Sequence, residues 1–352
     1  MKKILFLLLI SSFLTSGAFA GYQEAMEFVR IGNYPSAVEA LKDSLTTDPK
    51  SQYLMGFMYY HGLGVNKSYR QALDFFTKSM NGGNTDSRTF LAYMYDEGKG
   101  VNIDKQKAFN LYQESAEEGD TTAITNLAVM YYRGSGIPQN YDKAFNLMNS
   151  VEYVKDPIVQ YYLGDFYFYG FGVSKDLKKA IAYYIRSAML GSVDAHYMLG
   201  HIYQNGFGTQ TNIPKATKYY EYAALAGNPQ AQFNLATVYT SGQLSGIIDK
   251  VKAYAWLSIA SKNNFTEAID ALSKLSETMS LSEISKAKEL LISINKQIAA
   301  KENIPSESAN ENLGDMVFKA PPRKIYGSTF FGTTNTNTPS KSSRIKRTIR
   351  RR

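Results

Sequence analysis

The chain has 352 residues, 44% of them hydrophobic and 20% charged, and it carries a formal charge of +8 with no cysteine. Without cysteine there is no disulfide, no thiolate nucleophile or thiolate metal site and no thioether-linked lipid, so stability must come from packing. The charge is uneven: residues 316–352 hold ten basic side chains and no acidic one, and +8 less these ten and less Lys2 and Lys3 leaves −4 for the remainder.

Lys2 and Lys3 precede an apolar run from Ile4 to Ile10 that continues through Phe13 and Leu14 to Ala18-Phe19-Ala20. A basic start, a short apolar centre and an A-x-A pattern are the layout of a secretory signal peptide, residues 1–20, cleaved after Ala20. The run is too short for a transmembrane helix, and no later stretch is long and apolar enough for one. Export is therefore expected, to the periplasm and from there to outer-membrane association or the medium. Residues 21–47 read as a helical pair, broken at Gly32 and Asn33 and restarted at Pro35, that forms an N-terminal cap.

From residue 48 to 264 a 36-residue pattern returns six times. Tyr59 recurs as Tyr95, Tyr131, Tyr167, Tyr203 and Tyr239, and Gly62 as Gly98, Gly134, Gly170, Gly206 and Gly242. A unit of this length cannot bury its apolar face alone and stacks on copies of itself, so the expected fold is an all-α solenoid. Capping residues at one offset, Asp48, Asn84, Asp120, Asp156, Ser192, Asn228 and Asn264, open a first helix, A. Those at a second offset, Ser68, Asp104, Asn140, Asp176 and Asn212, open helix B. In the Gly-x-Gly turn between them, the first glycine ends helix A and the second relaxes the turn. Recurrence in every unit makes these turns architectural, whereas a phosphate loop would occur once.

In a unit that starts at Ser51, the recurring residues of helix A fill places one, five, eight, nine and twelve, which mark a core-facing stripe. Places three, seven and ten vary yet often remain aromatic: Tyr53, Tyr161, Tyr197 and Phe233; Phe57 and Tyr93; Tyr60, Tyr132 and Phe168. Two readings fit these nine side chains. They form a contact surface for a partner, where Tyr is enriched, or they are shoulders packed between units.

The string LGHIYQNGFGTQTNIPKATKYYEYAALAGN, Leu199 to Asn228, resembles the Sel1-like repeat, a relative of the tetratricopeptide repeat. The likeness is fullest in units two, four and five. It weakens in unit three, where Val151, Glu152 and Lys155 replace small residues, and in unit six, where Leu244 replaces the second glycine and Ala253 comes one place late. The resemblance implies a right-handed α-solenoid of helix-turn-helix units with helix A on the concave side, so that the nine aromatics would pave a groove for a peptide or helix. The layout is also similar to that of an exported Sel1-repeat protein of an intracellular bacterium. That implies an envelope protein as partner, an outer-membrane protein among the candidates, and a role in envelope integrity or virulence.

Downstream, Ile269, Leu272, Leu275 and Met279 mark another helix, and Ser280 with Glu283 makes a capping box for a last one bearing Ile284, Ala287, Leu291, Ile294 and Ile298. Residues 265–302 thus form a helical cap or a short coiled coil, although two heptads are few for the latter. Beyond them, residues 303–352 turn to Ser, Thr, Asn, Gly and Pro without periodicity and read as a disordered tail. Its Arg344, Lys346, Arg347, Arg350, Arg351 and Arg352 suit an anionic surface such as lipid headgroups, or remain solvated; in an exported chain no nucleic acid is expected.

The three histidines, His61, His196 and His201, have no partner at metal-ligand spacing, and no nucleophile elbow, HExxH or phosphate-loop motif occurs. No catalytic residue, metal site or cofactor is expected, and nothing in the sequence sets an oligomeric state. The leading functional reading is an exported interaction scaffold. Behind it stand a protein anchored by its tail, a regulator of an envelope enzyme and a secreted effector.

Overall fold

The computed structural model describes residues 17–302. Residues 1–16, most of the expected signal peptide of residues 1–20, and the segment from 303 onward, with Arg344, Lys346, Arg347, Arg350, Arg351 and Arg352, lie outside the described residues. Among those described, sixteen α-helices and no strand are found. A first pair, α1 (Gly17–Arg30) and α2 (Tyr34–Leu41), precedes six A/B pairs. These are α3 (Pro49–His61) with α4 (Tyr69–Asn81), α5 (Thr85–Glu97) with α6 (Lys105–Glu117), and α7 (Thr121–Arg133) with α8 (Tyr141–Ser150). They continue as α9 (Pro157–Tyr169) with α10 (Leu177–Met189), α11 (Val193–Asn205) with α12 (Ile213–Leu225), and α13 (Pro229–Ser241) with α14 (Lys250–Lys262). A last pair is α15 (Thr266–Glu277) and α16 (Leu281–Glu302). No described helix is long and apolar enough to cross a membrane.

The helices start where short polar side chains satisfy their orphan N–H groups. Asp48 accepts from the N–H of Lys50 and Ser51, Asn228 from Ala231, and Asn140 and Asn212 do the same for the B helices. Asn264 is a correction. Its φ is +60°, the one non-glycine with positive φ among the described residues, and α15 starts after Phe265 without a side-chain cap. Unit six has one extra residue in its turn, so Asp249 caps α14 and everything after it shifts by one. Asn264 thereby takes the left-handed place that Gly227 holds one unit earlier, which Asn tolerates better than other side chains.

The second glycine of each turn does more than relax the chain. A Cβ on Gly64, whose φ is +68°, would lie 2.6 Å from the carbonyl of Tyr34, the first residue of α2. In the next unit Gly100 stands in the same way against Tyr69, the first residue of α4. Each turn therefore seats its glycine on the start of the preceding unit's helix B, closer than any side chain allows. In unit six Leu244 is partly buried in that place.

Helices A and B are buried differently. Along α9 every residue from Ile158 to Phe168 is buried, whereas α4 buries only Ala72, Phe76 and Ser79. Helix A lies among its own helix B and two neighbouring units, so its core-facing stripe widens to nearly the whole circumference, while helix B keeps one solvated face. Small residues make the contact close: a Cβ on Gly200 of α11 would come 2.6 Å from the Tyr220 ring of α12. The core falls into two clusters, Ala25 to Met130 and Ala128 to Ile294, which meet in unit three at Tyr131 and Leu147.

At the far end the Ser280–Glu283 box forms, with Ser280 N–H to Glu283 Oε2 at 2.8 Å and Glu283 N–H to Ser280 Oγ at 3.3 Å. Helix α16 folds back onto α14 and α12 and buries Ala287 and Ile294. Of the rest of its 3-4 stripe, Ile284, Leu291 and Ile298 stay partly exposed.

Candidate functional site

The nine aromatic side chains of helix A divide. Tyr53, Tyr60, Tyr132, Tyr161, Phe168 and Tyr197 are all buried, so of the two readings these six follow the second, shoulders packed between units, and are not open to a partner. Tyr132 packs edge-on against Tyr162 and Phe166 of the next helix A, with ring centroids 5.0 and 5.5 Å apart. Tyr53 contacts Phe76 and Phe90, Tyr161 contacts Tyr184, and Phe168 contacts Phe207. Places three and ten are seven residues apart, two turns along one side of the helix, and that side meets the following unit. Only Phe57, Tyr93 and Phe233 of the nine are partly exposed.

The exposed row runs instead through places seven and eleven. It comprises Phe57 and His61, Tyr93 and Glu97, then Arg133, Tyr169, His201 and Asn205 in later units. Place eleven varies too much in residue type to stand out in the sequence, yet its i, i+4 relation to place seven puts both on one face. Phe57 and His61 pack with centroids 4.2 Å apart. Burial, then Lys67, lowers the His61 imidazole from its ordinary value, and burial does the same to His201.

The two layers carry opposite charge. The six A helices with their N-caps hold eight acidic and three basic side chains, a net −5, and the six B helices with their N-caps hold eight acidic and thirteen basic, a net +5. On the B side, lysines lie over the marker tyrosines: Lys107 over Tyr95 at 4.1 Å and Lys215 over Tyr203 at 4.0 Å. Inside helix A, Asp96 is fully buried and paired with Lys105 at 2.8 Å. Asp165 is buried too, but its oxygens accept from Tyr184 Oη at 2.6 Å and Tyr132 Oη at 3.3 Å. Burial pushes the Asp165 carboxyl up to about 7 against the pull of those two hydrogen bonds. Asp194, which accepts from Asn228 Nδ2 at 3.3 Å, is pushed up to about 6, again by burial.

Among the described residues no three His, Cys, Asp or Glu side chains are grouped to hold a metal ion. What the helix A face can do is bind. It offers partly exposed aromatic and polar side chains in register every 36 residues, on helices too tightly packed to rearrange.

The sequence matches the Sel1 repeat pattern six times, at residues 49–84, 85–120, 121–150, 157–192, 193–228 and 229–265. In fold the chain is similar to c5321, a protective antigen present in uropathogenic Escherichia coli strains and displaying an SLR fold. The two are 26% identical with a TM-score of 0.61, over 80% of this chain and 61% of that one, so the chain spans about three fifths of the antigen's length. It is likewise similar to a Sel1 repeat protein from Oxalobacter formigenes, at 27% identity and a TM-score of 0.63, over 68% of this chain and 96% of that one. No curated protein matches it in sequence. Sel1 repeats mediate protein–protein interaction and typically form non-catalytic scaffolds. With six matched repeats and the shared solenoid, the chain belongs to the Sel1 repeat family.

Proposed function

We propose that this chain is a non-catalytic scaffold that holds a partner protein along the exposed row of its helix A layer. The observation that supports it is the row itself. Phe57, His61, Tyr93 and Tyr169 keep ring surface at the solvent while their neighbours on the same helices are closed into the core. Rigid aromatics on regular elements bind at low entropic cost, and buried anchors of this type dominate interface energies.

The compartment belongs to the same proposal. Lys2, Lys3 and the apolar run to Ala20 support export, so the partner is an envelope protein, an outer-membrane protein in the leading version. Arg344 to Arg352 then add an electrostatic contact with an anionic membrane surface. Loss of the scaffold would weaken envelope integrity or virulence.

The test is affinity isolation from crosslinked envelopes with wild type, a Phe57→Ala/Tyr93→Ala variant and a chain lacking Lys341 to Arg352. Loss of one dominant partner in the aromatic variant, whose melting temperature stays within a few degrees of wild type, supports the helix A surface. Unchanged capture by that variant sinks it. Release from membranes on tail removal or added salt identifies the tail as the anchor.

A further inference from the structure

In five of the six units a lysine of helix B lies over the marker tyrosine of helix A. The ammonium is 4.1 Å from the ring centroid for Lys107 on Tyr95, 5.2 Å for Lys143 on Tyr131, 5.0 Å for Lys179 on Tyr167, 4.0 Å for Lys215 on Tyr203 and 5.1 Å for Lys252 on Tyr239. In two of them it also donates to the phenol, Lys107 Nζ to Tyr95 Oη at 2.8 Å and Lys215 Nζ to Tyr203 Oη at 2.7 Å. The lysine stands twelve residues after the tyrosine, or thirteen in unit six with its extra residue. Unit one breaks the pattern, because the twelfth residue after Tyr59 is Gln71. The rest of the arrangement is kept there. In unit four the row reads Lys179, Tyr167, Tyr183, Arg186, with the two rings stacked 5.6 Å apart and Arg186 over Tyr183 at 5.1 Å. Its counterpart in unit one reads Gln71, Tyr59, Phe75, Lys78, with the rings again stacked 5.6 Å apart and Lys78 over Phe75 at 5.4 Å. Three of the four members are in place. Between Tyr59 and Gln71 the structure has instead a cleft of about 680 Å³, lined also by Gly62, Gly64, Val65 and Asn66.

We propose that the Tyr59 cleft receives one lysine side chain of a partner protein, its ammonium seated where the other units seat their own. The face of the Tyr59 ring supplies the cation–π contact, and its hydroxyl offers the acceptor that Tyr95 and Tyr203 use. Gln71 and Asn66 add amide oxygens, so the place that holds a donor in the other units holds acceptors in this one. Phe75, stacked on Tyr59, holds the ring ready for its guest. Lysine fits better than arginine, since all five resident cations are lysines and a compact ammonium suits a site built from one ring and a few single acceptors. Two lysines of unit one are engaged elsewhere: Lys78 is paired with Asp74 at 2.7 Å, and Lys67 lies over Tyr69 at 4.9 Å. Lys67 does not bar a second cation. Lys175 holds its place in unit four, over Phe168, and Lys179 is still seated on Tyr167. Tyr59 is two residues from Phe57 and so faces another side of α3, which makes this contact additional to the exposed helix A row.

The experiment uses the full-length protein with isotope-labelled tyrosine rings, the Tyr59 signals being assigned by their loss in Tyr59→Phe. The probe is acetyl-lysine-methylamide, titrated by NMR at constant ionic strength, with acetyl-norleucine-methylamide as its neutral control. The lysine probe should shift the Tyr59 signals at millimolar concentration and leave those of Tyr167, whose cation place Lys179 fills. Gln71→Lys should abolish the Tyr59 shift, and Lys179→Gln should create one at Tyr167. Both substituted residues are exposed, so both variants are expected to fold, and thermal melts check it. Tyr59 signals that stay still, follow the norleucine probe equally or still move in Gln71→Lys overturn the site, and so does a silent Tyr167 in Lys179→Gln. Replacing Lys319, Lys324, Lys341 and Lys346 by Gln tests the source. Tyr59 signals that move on this change with no probe present show that the chain fills its own cleft and overturn the assignment to a partner, whereas unchanged signals support it. The Phe57→Ala/Tyr93→Ala variant should respond to the probe as wild type does, so the cleft and the helix A row fail separately.

Discussion

The passage from unit four to unit five and the passage from unit three to unit four reach the same place with different parts. In the first, α10 runs to Met189, Gly191 turns the chain at φ +87°, and Ser192 caps α11. Ser187 Oγ donates to the Pro157 carbonyl at 2.7 Å and ties the end of helix B to the start of helix A. In the second, Lys155 stands at the glycine's place and no residue between Gly136 and Gly170 has positive φ. Helix α8 therefore stops at Ser150, and buried Val151 replaces the serine that would have donated. Side chains repair the loss: Gln160 Nε2 donates to the Glu152 carbonyl at 2.8 Å, and the Glu152 carboxylate accepts from Tyr183 Oη at 2.7 Å and Arg186 at 3.3 Å. Asp165 adds a link across the same junction through Tyr132. A backbone exit needs one glycine, whereas its substitute takes three polar side chains from neighbouring helices.

The largest expected effect comes from removing the charge at that link. The Asp165 carboxyl, raised from 3.8 to about 7, disfavours the folded state once ionised. The penalty is absent below pH 4, grows as pH rises through the window from about 4 to about 7, and reaches on the order of 4 kcal/mol above it. Asp165→Asn keeps the shape and loses part of the bonding, so a net gain of roughly 1–3 kcal/mol is expected at pH 8, vanishing or reversing at pH 4. Urea titrations at the two pH values measure it. A smaller effect separates the two exits. Gly191→Ala meets no atom within 4 Å, so its cost of about 1–2 kcal/mol is purely that of a left-handed backbone, while Lys155→Gly should stabilise nothing. Equal changes in melting temperature at the two places would remove the distinction. The smallest is Glu152→Ala, expected to cost about 0.5–1.5 kcal/mol through Tyr183, with no further loss when Tyr183→Phe is added, as a double-mutant cycle would report.

Much of this was legible beforehand, for reasons that differ by element. Caps and turn glycines act locally, so Asp48, Ser68 and Gly62 announce their roles from sequence spacing alone. The face of helix A does not. With neighbours on three sides, α9 is buried from Ile158 to Phe168, and apolar spacing within such a helix cannot show which residues meet water. Tyr161 and Phe57 look alike in sequence, and only the stacking of the next unit closes one and leaves the other open. The role of Asn264 was hidden by one inserted residue, which a strict 36-residue ruler steps over.

The seat of each second glycine on the preceding helix B carries a consequence for how such a chain lengthens. A duplicated unit brings both the key and the next lock, so whole copies can be added within the array without any new surface having to evolve. A copy with an extra residue, and with Leu244 in its turn, lacks that key and cannot seat in the same way on the helix B before it. Unit six is that copy, and it stands at the end.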